Sequence, residues 1–547
     1  MIAIILDTCI IYSAGSTAFT SFRHKHTGYM PWNTTNSPET CALRCLDYGT
    51  TTSGLQFKPA KLPAAVDIGN GEFVQWSFVK KELLWLIRSA APIAISSTAQ
   101  PLIMIPMLSA VSRFGNTALM SMNLAKLYSN ICGVAPTAGI SMALDTYCSQ
   151  GFTSARDKRI LGVLLQRAML MGLATMAIFC PLWWNSMCVF KVLGVPEDVA
   201  EMAGRLVHVC FFGNVLLMAY EFLCSFLFAQ GIRRFVLVAQ PAGVAVAWAA
   251  IWLLLSDQST SAGVLGTAFV NVCTMVTRCT TTVIFIAVVD GYQCWGSWTP
   301  TALHGWKSMA KLSVAGFIAR LLGMASMHII DLGSVLLGTQ AMAAQTVLTA
   351  LLAIPSALGY ALAIAACNRV GNHLGLALSN HVRLTALATA VLSALVFGML
   401  ALGFFLCRYA LPHGFTDNSE VIDIVAVHTP WVAIAGAMQG VNITLNGILR
   451  GQGKQGIIAR VRLFSFALVG IPAGLVAMWV FHWELAGLWF GHSASLATAL
   501  SFQTYLLCTT DWDKEVAKCQ SRVAAMASTV YTADRAIAGN ECSRHLP

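Results

Sequence analysis

Twelve long apolar segments, parted by short polar ones, occupy this chain from residue 83 to residue 508. They run approximately 83–108, 117–141, 161–183, 203–228, 235–256, 263–289, 309–336, 340–366, 382–407, 423–447, 461–481 and 484–508. A helix needs about 20 predominantly apolar residues to cross a bilayer, and each segment supplies roughly that. The runs are too long and continuous for the short alternating strands of a membrane β-barrel. The pattern predicts an all-α integral membrane protein: twelve transmembrane helices in two six-helix bundles with pseudo-two-fold symmetry.

The flanks are polar. Residues 1–81 are predicted to be an N-terminal cytoplasmic tail, mostly disordered, with an amphipathic lead-in from Trp76 to Glu82. The opening MIAIILDTCIIYSAG lacks a basic n-region and carries Asp7, which argues against a cleaved signal. Residues 509–547 are read as a C-terminal cytoplasmic tail.

The pattern repeats. GNTALMSMNLA at 115–125 aligns with GTQAMAAQTVL at 338–348 at an offset of 223 residues. Gln150, in ALDTYCSQGF with Asp145, aligns with Asn372 at 222, and Gln230-Gly231 aligns with Gln452-Gly453 at the same offset. These positions are predicted to be cytoplasmic bends. Bundles at 83–290 and 309–508 follow, with the same orientation because six is even. Parallel repeats of this kind are a transporter architecture, with the substrate held between halves that move.

Composition agrees. Charged residues make up 11% and apolar residues 56%, with a mean hydropathy of +0.67; soluble domains carry about 25% charged residues. The net charge of +10 lies largely in loops, and no dense basic patch interleaved with aromatics suggests nucleic acid. Thirteen Lys and Arg, including Arg156, Lys158, Arg233, Arg450 and Arg462, are assigned to loops on one side. Arg113, Lys191, Arg205 and Arg408 are assigned to the other. The positive-inside rule then puts both termini in the cytoplasm. Most of the 17 cysteines lie within apolar runs and read as core residues. No GxxxxGK[ST] motif is present, so ATP hydrolysis is not expected. No cofactor, metal or enzymatic set is expected either.

Ionisable groups inside hydrocarbon cost at least about 2.5–3.5 kcal/mol each, so each needs a reason. His328 and Asp331 lie three apart in the seventh segment and share a helix face. They are the candidate proton-coupling pair, with a purely structural hydrogen-bonded pair as the alternative. Glu221 in the fourth segment is a second proton-site candidate or a packing partner. Arg320, Arg88 and Arg167 are expected to snorkel outward. Gln439, Asn442 and Asn446 form one stripe on the tenth segment. With Gln345, Gln100 and Asn123 they are candidate substrate contacts, helix–helix glue being the alternative.

Several stretches resemble the multidrug and toxic compound extrusion (MATE) family, on its eukaryotic branch. They are Ala143-Leu144-Asp145-Thr146 with Cys148 and Gln150, Ala229-Gln230-Gly231, and Leu336-Leu337-Gly338-Thr339 with Gln345. Arg369-Val370-Gly371-Asn372, Leu449-Arg450-Gly451, Gly487-Leu488-Trp489 and Asp511-Trp512 complete the ordered set. The resemblance implies an antiporter that exports small organic compounds, cationic and amphipathic, against protons, with sodium as the alternative ion. Acidic positions usual in the family fall here at Gly323, His328, Ala350 and Gln439, so Asp331 is inferred to have taken over. A lipid-type flippase, which a basic cavity would favour, and an uncoupled protein with a receptor or interaction role are the competing readings. Plasma and vacuolar membranes are both compatible.

Overall fold

The computed structural model describes residues 72–97, 99–255, 260–416, 418–526 and 528, with side chains from Phe78 on except 99–101 and 260–262. The chain divides into two compact units, Met1–Gln75 and Trp76–Pro547, and the described residues from Trp76 on belong to the second. The expectations for the first 71 residues, and those for the side chain of Gln100, lie outside the described residues.

The N-terminal half comprises α1 (Glu72–Ser97), α2 (Ala99–Ser112), α3 (Asn116–Ser129), α4 (Ala135–Ser154), α5 (Ile160–Trp184), the short α6 (Ser186–Val192), α7 (Glu197–Ala229), α8 (Val236–Leu254) and α9 (Thr260–Val288). A π-helical segment, Asn130–Val134, joins α3 to α4 without a break. Two short 3₁₀ turns lead into the second half. That half comprises α10 (Trp306–Leu336), α11 (Thr339–Gly375), α12 (Ser379–Leu406), α13 (Ser419–Gly451), α14 (Gln455–Leu463), α15 (Ile471–Trp479) and α16 (Glu484–Cys508). Here a second π-helical segment, Phe464–Gly470, joins α14 to α15. A last helix occupies 512–526.

These elements make twelve membrane-crossing helices in two bundles. Ten are long and apolar enough to cross by length and composition alone. The other two, α3–α4 and α16, hold polar residues that lower their mean hydropathy, among them Asp145, Gln150, His492 and Gln503. The outward faces are apolar: Ile178, Trp252, Met399, Leu402 and Leu406 are all largely exposed, as lipid contact requires. Each half has its own core. Trp183, Leu206, Val207 and Val264 centre the first; Leu348, Leu351, Val425 and Trp489 centre the second.

Ala143–Phe152 is helix, not a bend, because α4 runs on to Ser154. Asn372 is likewise inside α11. The polar side chains that suggested turns are instead spent on the opposite half. Asp145 is paired: its Oδ2 lies 3.9 Å from Arg450 Nη1. Thr146 Oγ1 donates to the Arg450 carbonyl at 2.7 Å, and Gln150 Nε2 to that of Gly451 at 2.8 Å. Thr153 Oγ1 donates to the Asn372 carbonyl at 2.9 Å. Glu82, read as part of a lead-in, is buried and binds Arg369 from 287 residues away, with Arg369 Nε at 2.9 Å. Gln230-Gly231 and Gln452-Gly453 do turn, with φ of +80° at Gly231 and +78° at Gly453, a conformation open to glycine at no steric cost.

All these cross-half bonds lie at one end, where the Lys and Arg loops cluster; we call it the basic end. Just above it α4 and α10 touch backbone to backbone. A Cβ on Gly139 would sit 2.5 Å from the Ser313 carbonyl oxygen, so glycine is what lets these helices approach so closely. The 512–526 helix closes the same end, a feature missing from the expectation of a tail. Arg522 Nη1 donates to Gln150 Oε1 at 2.8 Å in one half, and Gln520 Nε2 to the Gly375 carbonyl at 3.0 Å in the other.

Candidate functional site

Away from the basic end a cavity of about 520 Å3 lies in the C-terminal half, with Asn130 as its one lining residue from the first half among the described residues. α10 contributes Arg320 and His328, and α11 contributes Thr349, Ser356 and Tyr360. α13 contributes Gln439 and Asn442, the second π-helical segment Ser465, and α14 Arg462. α16 contributes His492 and Ser495, and the first half contributes Asn130. A second cavity of about 260 Å3 lies inside the N-terminal half, lined by Lys126, Arg278, Asn214, Asn271, Thr274 and several methionines. Asn130 lines both. The repeat explains the placement. Lys126 and Thr349 are equivalent at offset 223, Leu217 and Gln439 at 222, and each lines the cavity of its own half.

Hydrogen bonds wire the C-terminal lining. Gln439 Nε2 donates to Ser356 Oγ at 2.7 Å, and its Oε1 accepts from His492 Nε2 at 3.1 Å. Asn446 Nδ2 donates to Asn442 Oδ1 at 2.9 Å, and Gln503 Nε2 to Asn446 Oδ1 at 3.0 Å. The polar stripe thus serves both of its alternatives: Gln439 and Asn442 face the cavity, while Asn446 joins α13 to α16. Arg462 Nη1 donates to the Ala319 carbonyl at 3.1 Å. Arg320 does not snorkel away; it lines the cavity and donates to the Tyr360 hydroxyl. Arg167 is buried as well, 3.4 Å from the Thr301 carbonyl.

His328 Nδ1 lies 3.5 Å from Asp331 Oδ2. His328 faces the cavity. Asp331 Oδ1 accepts from Gln345 Nε2 at 3.1 Å, and Gln345 Oε1 in turn accepts from Trp489 Nε1 at 3.0 Å. Gln345 therefore orients the carboxylate and lies outside the lining. Glu221, on α7, is within electrostatic reach of Arg320 and Asp145. Asn123 is exposed and lines neither cavity.

Sequence reasoning missed Arg278, Arg462, His492 and Tyr360. The first three are ionisable residues inside apolar segments, the signal that singled out His328. Arg462 was assigned to a loop because it lies next to Arg460 at a segment edge. Among the described residues no Asp or Glu lines either cavity, so the lining does not support the expected cationic substrate.

Two six-helix membrane repeats, each holding a polar cavity, are a transporter architecture. The MatE family model matches residues 92–253 and 313–476, and the chain belongs to that family. It is 27% identical over 457 residues to "Uncharacterized transporter C4B3.13" of Schizosaccharomyces pombe, covering 82% of this chain and 83% of that protein. It is 26% identical over 434 residues to "Multidrug and toxin extrusion protein 1" of Homo sapiens, covering 78% and 75%. The fold matches the eukaryotic MATE transporter AtDTX14 with a TM-score of 0.74 at 20% identity, over 82% of this chain and all of that one. The protein is thus an integral membrane transporter of a family that moves small organic substrates, and is not an enzyme.

Proposed function

We propose that this protein is a secondary active antiporter that exports small organic compounds in exchange for protons by alternating access. The reading rests chiefly on one observation. The side-chain hydrogen bonds between helices of the two halves, among the described residues, lie at the basic end, and the cavity lies beyond them. Halves tied at one end can rock about it to expose the cavities on either side in turn. The basic end faces the cytoplasm, in keeping with the positive-inside rule.

In this reading His328 and Asp331 carry the coupled proton. His328 lies between the cavity and a carboxylate held by Gln345. Glu221, within electrostatic reach of Arg320, is a second proton site or an electrostatic tie between the halves. The test is tracer efflux from proteoliposomes under imposed pH or sodium gradients. A pH gradient is expected to accelerate efflux, and His328→Ala and Asp331→Asn to remove that acceleration. Efflux that ignores the gradient in the unaltered protein sinks proton coupling. A flippase for anionic lipids is the second reading, favoured by the cations lining the cavity.

A further inference from the structure

We propose that the cleft binds an organic anion, a carboxylate- or phosphate-bearing compound with an apolar body, between Lys126 and Arg278 of one half and Arg462 of the other. The proposal deepens the transport reading by naming its substrate class.

The argument starts from which charges are already answered. Arg450 faces Asp145, Arg320 has Glu221 within reach, and His328 touches Asp331. Lys126, Arg278 and Arg462 line the cavities, and no ion pair to any of them is found among the described residues. Lys126 has only a 3.8 Å contact to the Met104 sulfur. Arg278 is 4% exposed, and its Nε and Nη2 are buried without a hydrogen-bond partner. A guanidinium in that state is costly until an acceptor reaches it, and oxyanions fit its fork of donors.

Arg462 is placed by an absence. A Cβ on Gly323 would lie 2.1 Å from Arg462 Nη1, so the guanidinium occupies the volume any side chain at 323 would take. Asn130 lines both cavities, and in the proposal the ligand passes it to engage cations of both halves. Methionines at 104, 107, 122 and 275 on one side, and Met324, Met327 and Phe466 on the other, supply apolar surface for its body. The anion can be soluble or a lipid headgroup.

The experiment uses the full-length protein in phosphatidylcholine nanodiscs. It is titrated with carboxyfluorescein and rhodamine 123, two dyes of one ring system and opposite charge, and binding is read by fluorescence anisotropy. Carboxyfluorescein is expected to bind at least about tenfold more tightly, and to weaken with salt. Arg278→Gln and Arg462→Gln are each expected to cost about tenfold or more, as one charged hydrogen bond would. Arg462→Lys is expected to retain part of the affinity. Gly323→Glu, which sets a carboxylate against Arg462, is expected to erase the preference. Arg462→Gln also removes a bond to the Ala319 carbonyl, so Arg278→Gln, at a side chain for which no hydrogen bond is found among the described residues, guards against misfolding. Tighter rhodamine binding, no carboxyfluorescein binding, or full affinity in both glutamine variants overturns the proposal.

Competition assigns the source. Displacement by benzoate marks a soluble anion, and displacement only by a short-chain phosphatidylglycerol marks a lipid; either supports the anion site. Flux separates the two readings. An anion that binds but does not cross proteoliposomes defeats transport and leaves the site standing. Rhodamine flux without carboxyfluorescein binding does the reverse.

Discussion

At the basic end Arg369 and Arg450 face acids; at mid-depth, among the described residues, Arg278 and Arg462 do not. Arg369 is held by Glu82, a contact of two buried side chains that Thr385 also approaches at 3.4 Å, and Arg450 faces Asp145. Arg278 and Arg462, in the cavities of the two halves, meet no acid among the described residues. The two regions use one side chain in two ways. A paired guanidinium spends its field on the protein and fixes where two helices meet. An unpaired one leaves its field for whatever enters. At about 6 Å and an effective dielectric near 20, such a charge attracts an anion or repels a cation by roughly 3 kcal/mol.

The largest effect is expected where the pairing is complete. Glu82→Ala strands Arg369 among buried groups and should cost about 3–5 kcal/mol, read as a loss of thermal stability in detergent. Because Glu82 lies outside both cavities, dye selectivity in the surviving folded fraction should stay as it was. A variant as stable as the parent would mean that the contact contributes little and that the contrast between the two regions is overdrawn. Gln439→Leu comes next. It removes the acceptor of His492 and the donor to Ser356 together, and should cost about 1–3 kcal/mol for the buried polar atoms left unmatched. Its measurement is the same melting experiment.

How much of this was legible beforehand depends on how far each partner lies along the chain. The twelve segments were readable because twenty apolar residues in a row have one stable setting. The Gln439, Asn442 and Asn446 stripe was readable because one helix carries all three at helical spacing. Glu82 was not, because its partner lies 287 residues away and nothing local marks it as more than the end of a polar lead-in. Asp145 and Gln150 looked like turn residues for the same reason, since the groups that satisfy them belong to the other half. Arg278 and Arg462 were visible as charges in apolar runs. That they lack acids could be learned only from three-dimensional placement.

The smallest expected change in stability separates the two uses most sharply. Arg278→Met replaces a buried cation whose Nε and Nη2 find no acceptor by an apolar side chain of adaptable shape. The surroundings suit it: Met104, Met107, Met122 and Met275 already line this cavity. Removing a group that is desolvated without compensation is often neutral or stabilising, so melting should move by less than about 1 kcal/mol, in either direction. Anion affinity should nonetheless fall as it does for Arg278→Gln. If Arg278→Met melts like the pair-breaking Glu82→Ala, the guanidinium has a structural partner after all, and the mid-depth arginines belong with those of the basic end.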